Sequence, residues 1–213
     1  MPSDRILLLD STRPNTLAAI RSLGRKGVDV VAAGHTPRLP AMRSKYVAGS
    51  FVHRDPDEDP DGFIEDLEAH LRANDYFAVM PITDRDHNLL SRHKERLEAT
   101  ATIVAVEDWS MFERANDKGR LFGELTDIGV PTPETRIPDS LSDVNLFADD
   151  LSYPVLIKPR LSSTWDDDDT HHNNRISETN YASSPGELRR RYRGLVEGAS
   201  VLRTRLPIVQ EII

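Results

Sequence analysis

Through residue 106 the chain alternates short apolar runs with amphipathic helical periods, an order that few folds accommodate. Ile6 to Leu9 reads as a strand. Leu17, Ile20 and Leu23 follow at helical spacing, and Gly27 ends that helix before a strand over Val28 to Ala32. DPDEDPD, residues 55–61, is a polar, proline-bearing loop. Phe63, Ile64, Leu67 and Leu71 mark a second amphipathic helix, and Phe77 to Met80 a further strand. Leu89, Leu90, His93 and Leu97 give a third helix, and Ala101 to Val106 another strand. Strands separated by single helices predict βαβ units, hence a parallel α/β sheet with helices on both faces.

The pattern changes near residue 115, which sets a domain boundary between residues 1–115 and 116–213. Leu121, Phe122, Leu125 and Ile128 share one helical face, and Gly129 stops that helix. VPTPET, residues 130–135, is too proline-rich for a helix and reads as a linker into an extended segment. Ser140 with Asp143 starts a short helix, and Tyr153 to Lys158 reads as a strand. Ser184 with Glu187 has the spacing of a capping box, so a helix should run to about Val196. LPIVQEII, residues 206–213, reads as a last strand.

Composition excludes several classes of function. There is no cysteine, which removes disulfides, thiolate catalysis and thiolate metal sites. The net charge of −8 argues against general nucleic-acid binding through phosphates. The N-terminus lacks the basic and long apolar regions of a signal peptide, and no stretch is long enough to cross a membrane. A cytoplasmic protein is the expectation. The acids are rich in aspartate, and lysine is confined to Lys26, Lys45, Lys94, Lys118 and Lys158. That balance resembles proteins of salt-loving archaea, whose like-charge repulsion is screened by salt.

Lys158 poses the sharpest question. Val155, Leu156 and Ile157 read as the middle of a buried strand, which runs into Lys158 and then Pro159. A lysine there must meet an anion or turn its ammonium back to water. Ligands of doubly wound sheets usually bind outside the C-terminal strand ends, which here carry DSTRPN (10–15) and TDRDHN (83–88). These read as polar loops and N-caps, or as a metabolite site near Thr83 and Asp84. G-x-G-x-x-G occurs nowhere, which argues against a nicotinamide or flavin dehydrogenase.

NDKGRLFGELTDIGVPTPET (116–135), YPVLIKPR (153–160) and PIVQEII (207–213), in that order, resemble the ATP-grasp superfamily of carboxylate–amine ligases and carboxylases. RSLGRKGVDVVAAG (21–34) and MPITDRD (80–86) look like the domain that precedes the ATP-grasp fold. The resemblance implies a Rossmann-like pre-ATP-grasp domain over 1–115, then an incomplete N-terminal ATP-grasp subdomain over 116–213. It implies that Lys158 and Lys118 hold the α- and β-phosphates of ATP, a role that suits a compact point charge. It places the Glu211 carbonyl and the Ile213 amide on adenine, with the Gln210 side chain near its amino group. Lys118 as a solvated first-turn residue, and PIVQEII as an ordinary sheet edge, stand as alternatives.

One departure is plain. Such enzymes follow the Lys-Pro strand with a glycine-rich hairpin, whereas RLSSTWDDDDTHHNNR (160–175) has no glycine until Gly186. Ser162 and Ser163 are left to supply hydroxyls and amides to the phosphates. Asp166 to Asp169 either face solvent or, with His171 and His172, bind a cation. The reading expects ATP, Mg²⁺ and a small carboxylate as partners, with Mg²⁺ ligands beyond residue 213, and it allows a homo-oligomer. On that expectation the chain is the N-terminal portion of a ligase acting through an acyl phosphate, inactive alone. The alternative is a non-catalytic nucleotide-binding or scaffold protein of the same fold.

Overall fold

The computed structural model describes residues 4–161, 163–165, 171–173, 177–199 and 201–213, with no side chains given for 163–165, 171–173 and 201. The chain divides into two compact units, one ending at Phe112 and one beginning at Glu113.

In the first unit the expected alternation appears as β1 (Ile6–Leu8), α1 (Pro14–Gly24), β2 (Val30–Gly34), β3 (Val47–Val52), α2 (Pro60–Ala73), β4 (Ala78–Met80), α3 (Asp84–Arg92), α4 (Lys94–Glu98) and β5 (Ile103–Val104). Helix α5 (Trp109–Asn116) carries the division between units. Among the described residues five strands pair in parallel in the order β3-β2-β1-β4-β5, so the winding reverses between β1 and β4. Leu7, Leu8, Ile20, Val30, Phe63, Ile64 and Leu67 are fully buried, which is why the short apolar strands and helical stripes hold together.

Three details differ from the sequence expectation. β3, VAGSFV, was not anticipated: it is an edge strand, half-buried on alternate residues, with glycine and serine diluting its apolar signal. The helix expected over 89–97 is broken at His93, the C-cap of α3 and N-cap of α4. The strand expected over 101–106 is only Ile103–Val104, since Ala101 adopts a left-handed φ of 66°.

The second unit contains α6 (Lys118–Asp127), β6 (Thr135–Arg136), α7 (Leu141–Phe147), β7 (Val155–Lys158), β8 (Ser163–Trp165), β9 (His171–Asn173), β10 (Tyr181–Ala182), α8 (Pro185–Gly198), α9 (Val201–Thr204) and β11 (Ile208–Glu211). Among the described residues a four-stranded antiparallel sheet runs β10-β7-β11-β6, and β8 pairs with β9 as a separate antiparallel hairpin. Val155, Ile157 and Val209 pack one face of the sheet against Val144 and Ala148 and against Leu188, Tyr192 and Val196 of α8. The Tyr192 hydroxyl donates to the Pro207 carbonyl at 2.7 Å, so its burial leaves no polar atom stranded. Ser140 forms a reciprocal capping box with Asp143. At α8 the box is displaced: Ser184 accepts from Glu187 N, but the Glu187 carboxylate takes the Ser183 N–H.

Candidate functional site

Packing Val155, Ile157 and Val209 into the helical core decides what the other face of the sheet displays. Side chains alternate along a strand, and residues paired across an antiparallel ladder share a face. Leu156 and Lys158 of β7 therefore lie with Gln210 and Ile208 of β11, their ladder partners, and with Thr135, the partner of Gln210 on β6. Lys158 Nζ donates to Gln210 Oε1 at 3.4 Å and lies 5.8 Å from the centre of the Phe122 ring of α6. The lysine at the strand end is half-buried, with an amide for partner and an aromatic ring beside it.

Lys118 is tied to the same strand end. Its backbone N–H donates to the Arg160 carbonyl at 3.0 Å, and its Nζ reaches that oxygen at 3.4 Å. Asp117, the N-cap of α6 and 5% exposed, accepts from Gly119 N and Arg120 N. The same carboxylate takes Arg160 Nε at 2.7 Å and Arg205 at 3.4 Å. Burial pushes the Asp117 carboxyl up, but the hydrogen bonds from Arg160 and the Arg120 amide outweigh it and hold it below the usual carboxylate range. Gly119 makes room: a Cβ there would stand 2.7 Å from Arg160 Nε. Glu113, Asp117, Arg120, Arg160 and Arg205 line an open cleft of about 260 Å³.

Of the site residues read from sequence, Lys158 and Gln210 meet directly, and Lys118 is anchored two residues beyond Lys158. Glu211 is oriented differently. Its N–H donates to the Glu134 carbonyl at 2.9 Å, and its carboxylate accepts from Glu134 N at 2.8 Å, which clamps the PTPET segment to β11. Ile213 is 96% exposed. Ser162 and Asp166 to Asp169 lie outside the described residues, as do the side chains of Ser163, His171 and His172. Sequence reasoning missed Asp117, Arg160, Phe122 and Thr135. The signals present were an aspartate directly before Lys118 and an arginine directly after Lys158-Pro159.

The strand-end loops of the first unit are largely committed to one another. Arg85 bonds Asp57 at 2.8 Å and Asp86 at 2.9 Å, and lies 3.8 Å from Asp10. Asp10 accepts from the Thr12 hydroxyl and from Arg13, and Thr83 caps α3. Burial pushes the Asp86 carboxyl up to about 6 against the pull of Arg85. Ser11 Oγ and Asn88 Oδ1, one in each loop, are buried without a hydrogen-bond partner among the described residues. Among the described residues no group of three or more His, Asp or Glu is placed to hold a metal ion, and no helix is long and apolar enough to cross a membrane.

No protein-family model matches the chain, and no curated protein matches it. Solved structures do. The biotin carboxylase domain of 2-oxoglutarate carboxylase from Hydrogenobacter thermophilus, solved with MgADP, ADP and bicarbonate, superposes over 100% of this chain and 45% of its own, with a TM-score of 0.66 at 17% identity. An L-amino acid ligase from Bacillus licheniformis gives 0.65 at 15% identity, again over 100% of this chain and 45% of that one. N5-carboxyaminoimidazole synthetase from Staphylococcus aureus, complexed with ADP, gives 0.62 at 12% identity, over 100% and 48%. The chain spans about 45% of the length of the first two. At such identities the likeness is one of fold. The chain has the fold of the N-terminal portion of ATP-grasp enzymes, a parallel five-stranded unit followed by a small α+β unit.

Proposed function

We propose that residues 116–213 hold ATP on the sheet face that carries Leu156, Lys158, Ile208 and Gln210, within a ligase that activates a small carboxylate. One observation carries the reading. Lys158 and Gln210 lie 3.4 Å apart on the face opposite the helical core, and Lys118 is fixed to the end of the same strand. That face offers cations for phosphates at one end, and half-buried Leu156 beside the Gln210 amide for a base. In the reaction proposed, a carboxylate oxygen attacks the γ-phosphorus of ATP and ADP leaves. An amine nitrogen then attacks the acyl carbon and expels phosphate. The lysines position and neutralise the phosphates, and Mg²⁺ supplies further neutralisation when bound. Calorimetric titration with MgATP tests the binding step. Saturable one-to-one binding is expected, and none at millimolar nucleotide would contradict it.

The acidic balance suits a salt-rich setting, so we also propose that salt stabilises the fold. The net charge of −8 sets up repulsion that added ions screen. The melting temperature should climb as salt rises toward molar levels. A flat series would remove this proposal.

A further inference from the structure

Leu188, Tyr192 and Val196 turn one side of α8 into the core under the sheet, on the face opposite Lys158 and Gln210. The outer side of the helix is therefore remote from the proposed nucleotide face. Gly186, Arg189, Arg190, Arg193, Gly194 and Glu197 recur there at three- and four-residue steps, as one stripe of an α-helix does. Together they line an open depression of about 390 Å³. Three arginines against one glutamate make it positive, in a chain whose net charge is −8. The Arg190 side chain is 73% exposed, with Glu187 3.9 Å away. Arg193 is exposed and, among the described residues, has no ion-pair or hydrogen-bond partner. Arg189 holds Asp149 at 2.5 Å and the Asn145 carbonyl at 3.1 Å, but the Asp149 side chain is 69% exposed and exchanges at little cost.

We propose that this side of α8 is a docking groove for an acidic, extended segment of a partner protein. Charge complementarity selects the partner: each arginine presents two parallel N–H donors that match a carboxylate. Spacing agrees with it. Arg189 and Arg193, one turn apart, stand about 6 Å apart along the helix axis, and alternate residues of an extended chain about 6.6 Å. The stripe from Gly186 to Glu197 is about 16 Å long, enough for about five extended residues. Glu197 keeps a further carboxylate from its far end. Glycine sets the depth of the groove. A Cβ at Gly186 or Gly194 would meet nothing within 4 Å, and neither residue has a positive φ, so the described chain does not require glycine at either position. Glycine weakens a helix, and what it provides here is a low surface on which a second backbone can lie close. The net charge of −8 sets the surrounding surface against a long nucleic-acid backbone, whereas a short acidic segment touches this groove alone.

Fluorescence anisotropy on the full chain tests this, with a labelled peptide of alternating aspartate and serine at low ionic strength. The peptide should bind saturably, and Arg193→Ala should weaken it roughly five- to tenfold. Gly194→Ala separates docking from a merely solvated helix face. Alanine is the better helix residue, so the melting temperature should rise, yet its methyl group stands in the groove and should weaken the peptide severalfold. A raised melting temperature with unchanged peptide affinity would overturn the proposal, and so would the absence of saturable binding to wild type. Two further results would assign the groove to another occupant and overturn it as well. One is tighter binding of a single-stranded oligonucleotide through Arg190 and Arg193. The other is self-association in sedimentation runs that Arg193→Ala removes.

Discussion

Replacing Lys158 with methionine should lower ATP affinity roughly ten- to a hundredfold, the loss of a charge-assisted contact worth about 1.5–3 kcal/mol. Methionine is apolar and of similar length, so it keeps the packing beside Phe122 and removes only the charge. The present partner of Lys158 is the Gln210 amide at 3.4 Å, a long contact that exchanges at little cost for a phosphate oxygen. Lys26→Met and Lys94→Met serve as controls. Lys94 is paired with Asp108 at 2.8 Å in the first unit, and Lys26 is exposed at the end of the first helix. Both should bind as wild type does. Equal affinities for wild type and Lys158→Met would remove Lys158 from the site.

Asp117→Ala should destabilise the second unit by about 2–4 kcal/mol, combining the loss of a helix cap with the breaking of a part-buried ion pair. The carboxylate accepts from two backbone amides of α6 and from Arg160 at 2.7 Å and Arg205 at 3.4 Å, so alanine removes the acceptor of four donors, of which Arg205 keeps Glu113 at 3.6 Å. Asparagine keeps the cap and loses the charge, and should cost distinctly less. Acid should reproduce part of the effect. Because the folded-state carboxyl is held below its ordinary value, its contribution is present above that value and lost as pH falls through the depressed one. The Asn variant should lack that component. Urea denaturation at pH 7 and through the acid range measures both. An alanine variant within about 0.5 kcal/mol of wild type would contradict this account of the Asp117 hub.

What could be read from the sequence follows from the range of the interactions concerned. Buried strands such as Ile6–Leu8 and Val155–Lys158 announce themselves by local apolar runs, α2 by the spacing of its buried face, and α8 by the capping spacing of Ser184 and Glu187. The edge strand β3 and the two-residue strands β6 and β10 carry no such pattern, since ladder pairing rather than side-chain burial creates them. Lys158 was legible because a charge at the end of an apolar run demands a partner. The residues around it were not. Arg160 meets Asp117 across 43 positions and Arg205 meets it across 88, while Gln210 meets Thr135 across 75. Loops 10–15 and 83–88 show the reverse case: their sequence reads as polar loops and N-caps or as a metabolite site, and folding joins Asp10, Asp57, Arg85 and Asp86 into one network.

A map of backbone amide shifts on adding MgATP to the protein tests the central claim most directly, because it reports where the nucleotide sits. The account predicts saturable changes at Lys118, Leu156, Lys158, Gln210, Glu211 and Ile213. Residues 10–15 and 83–88 should stay unchanged. Shifts confined to those strand-end loops of the first unit, with β7 and β11 silent, would contradict it.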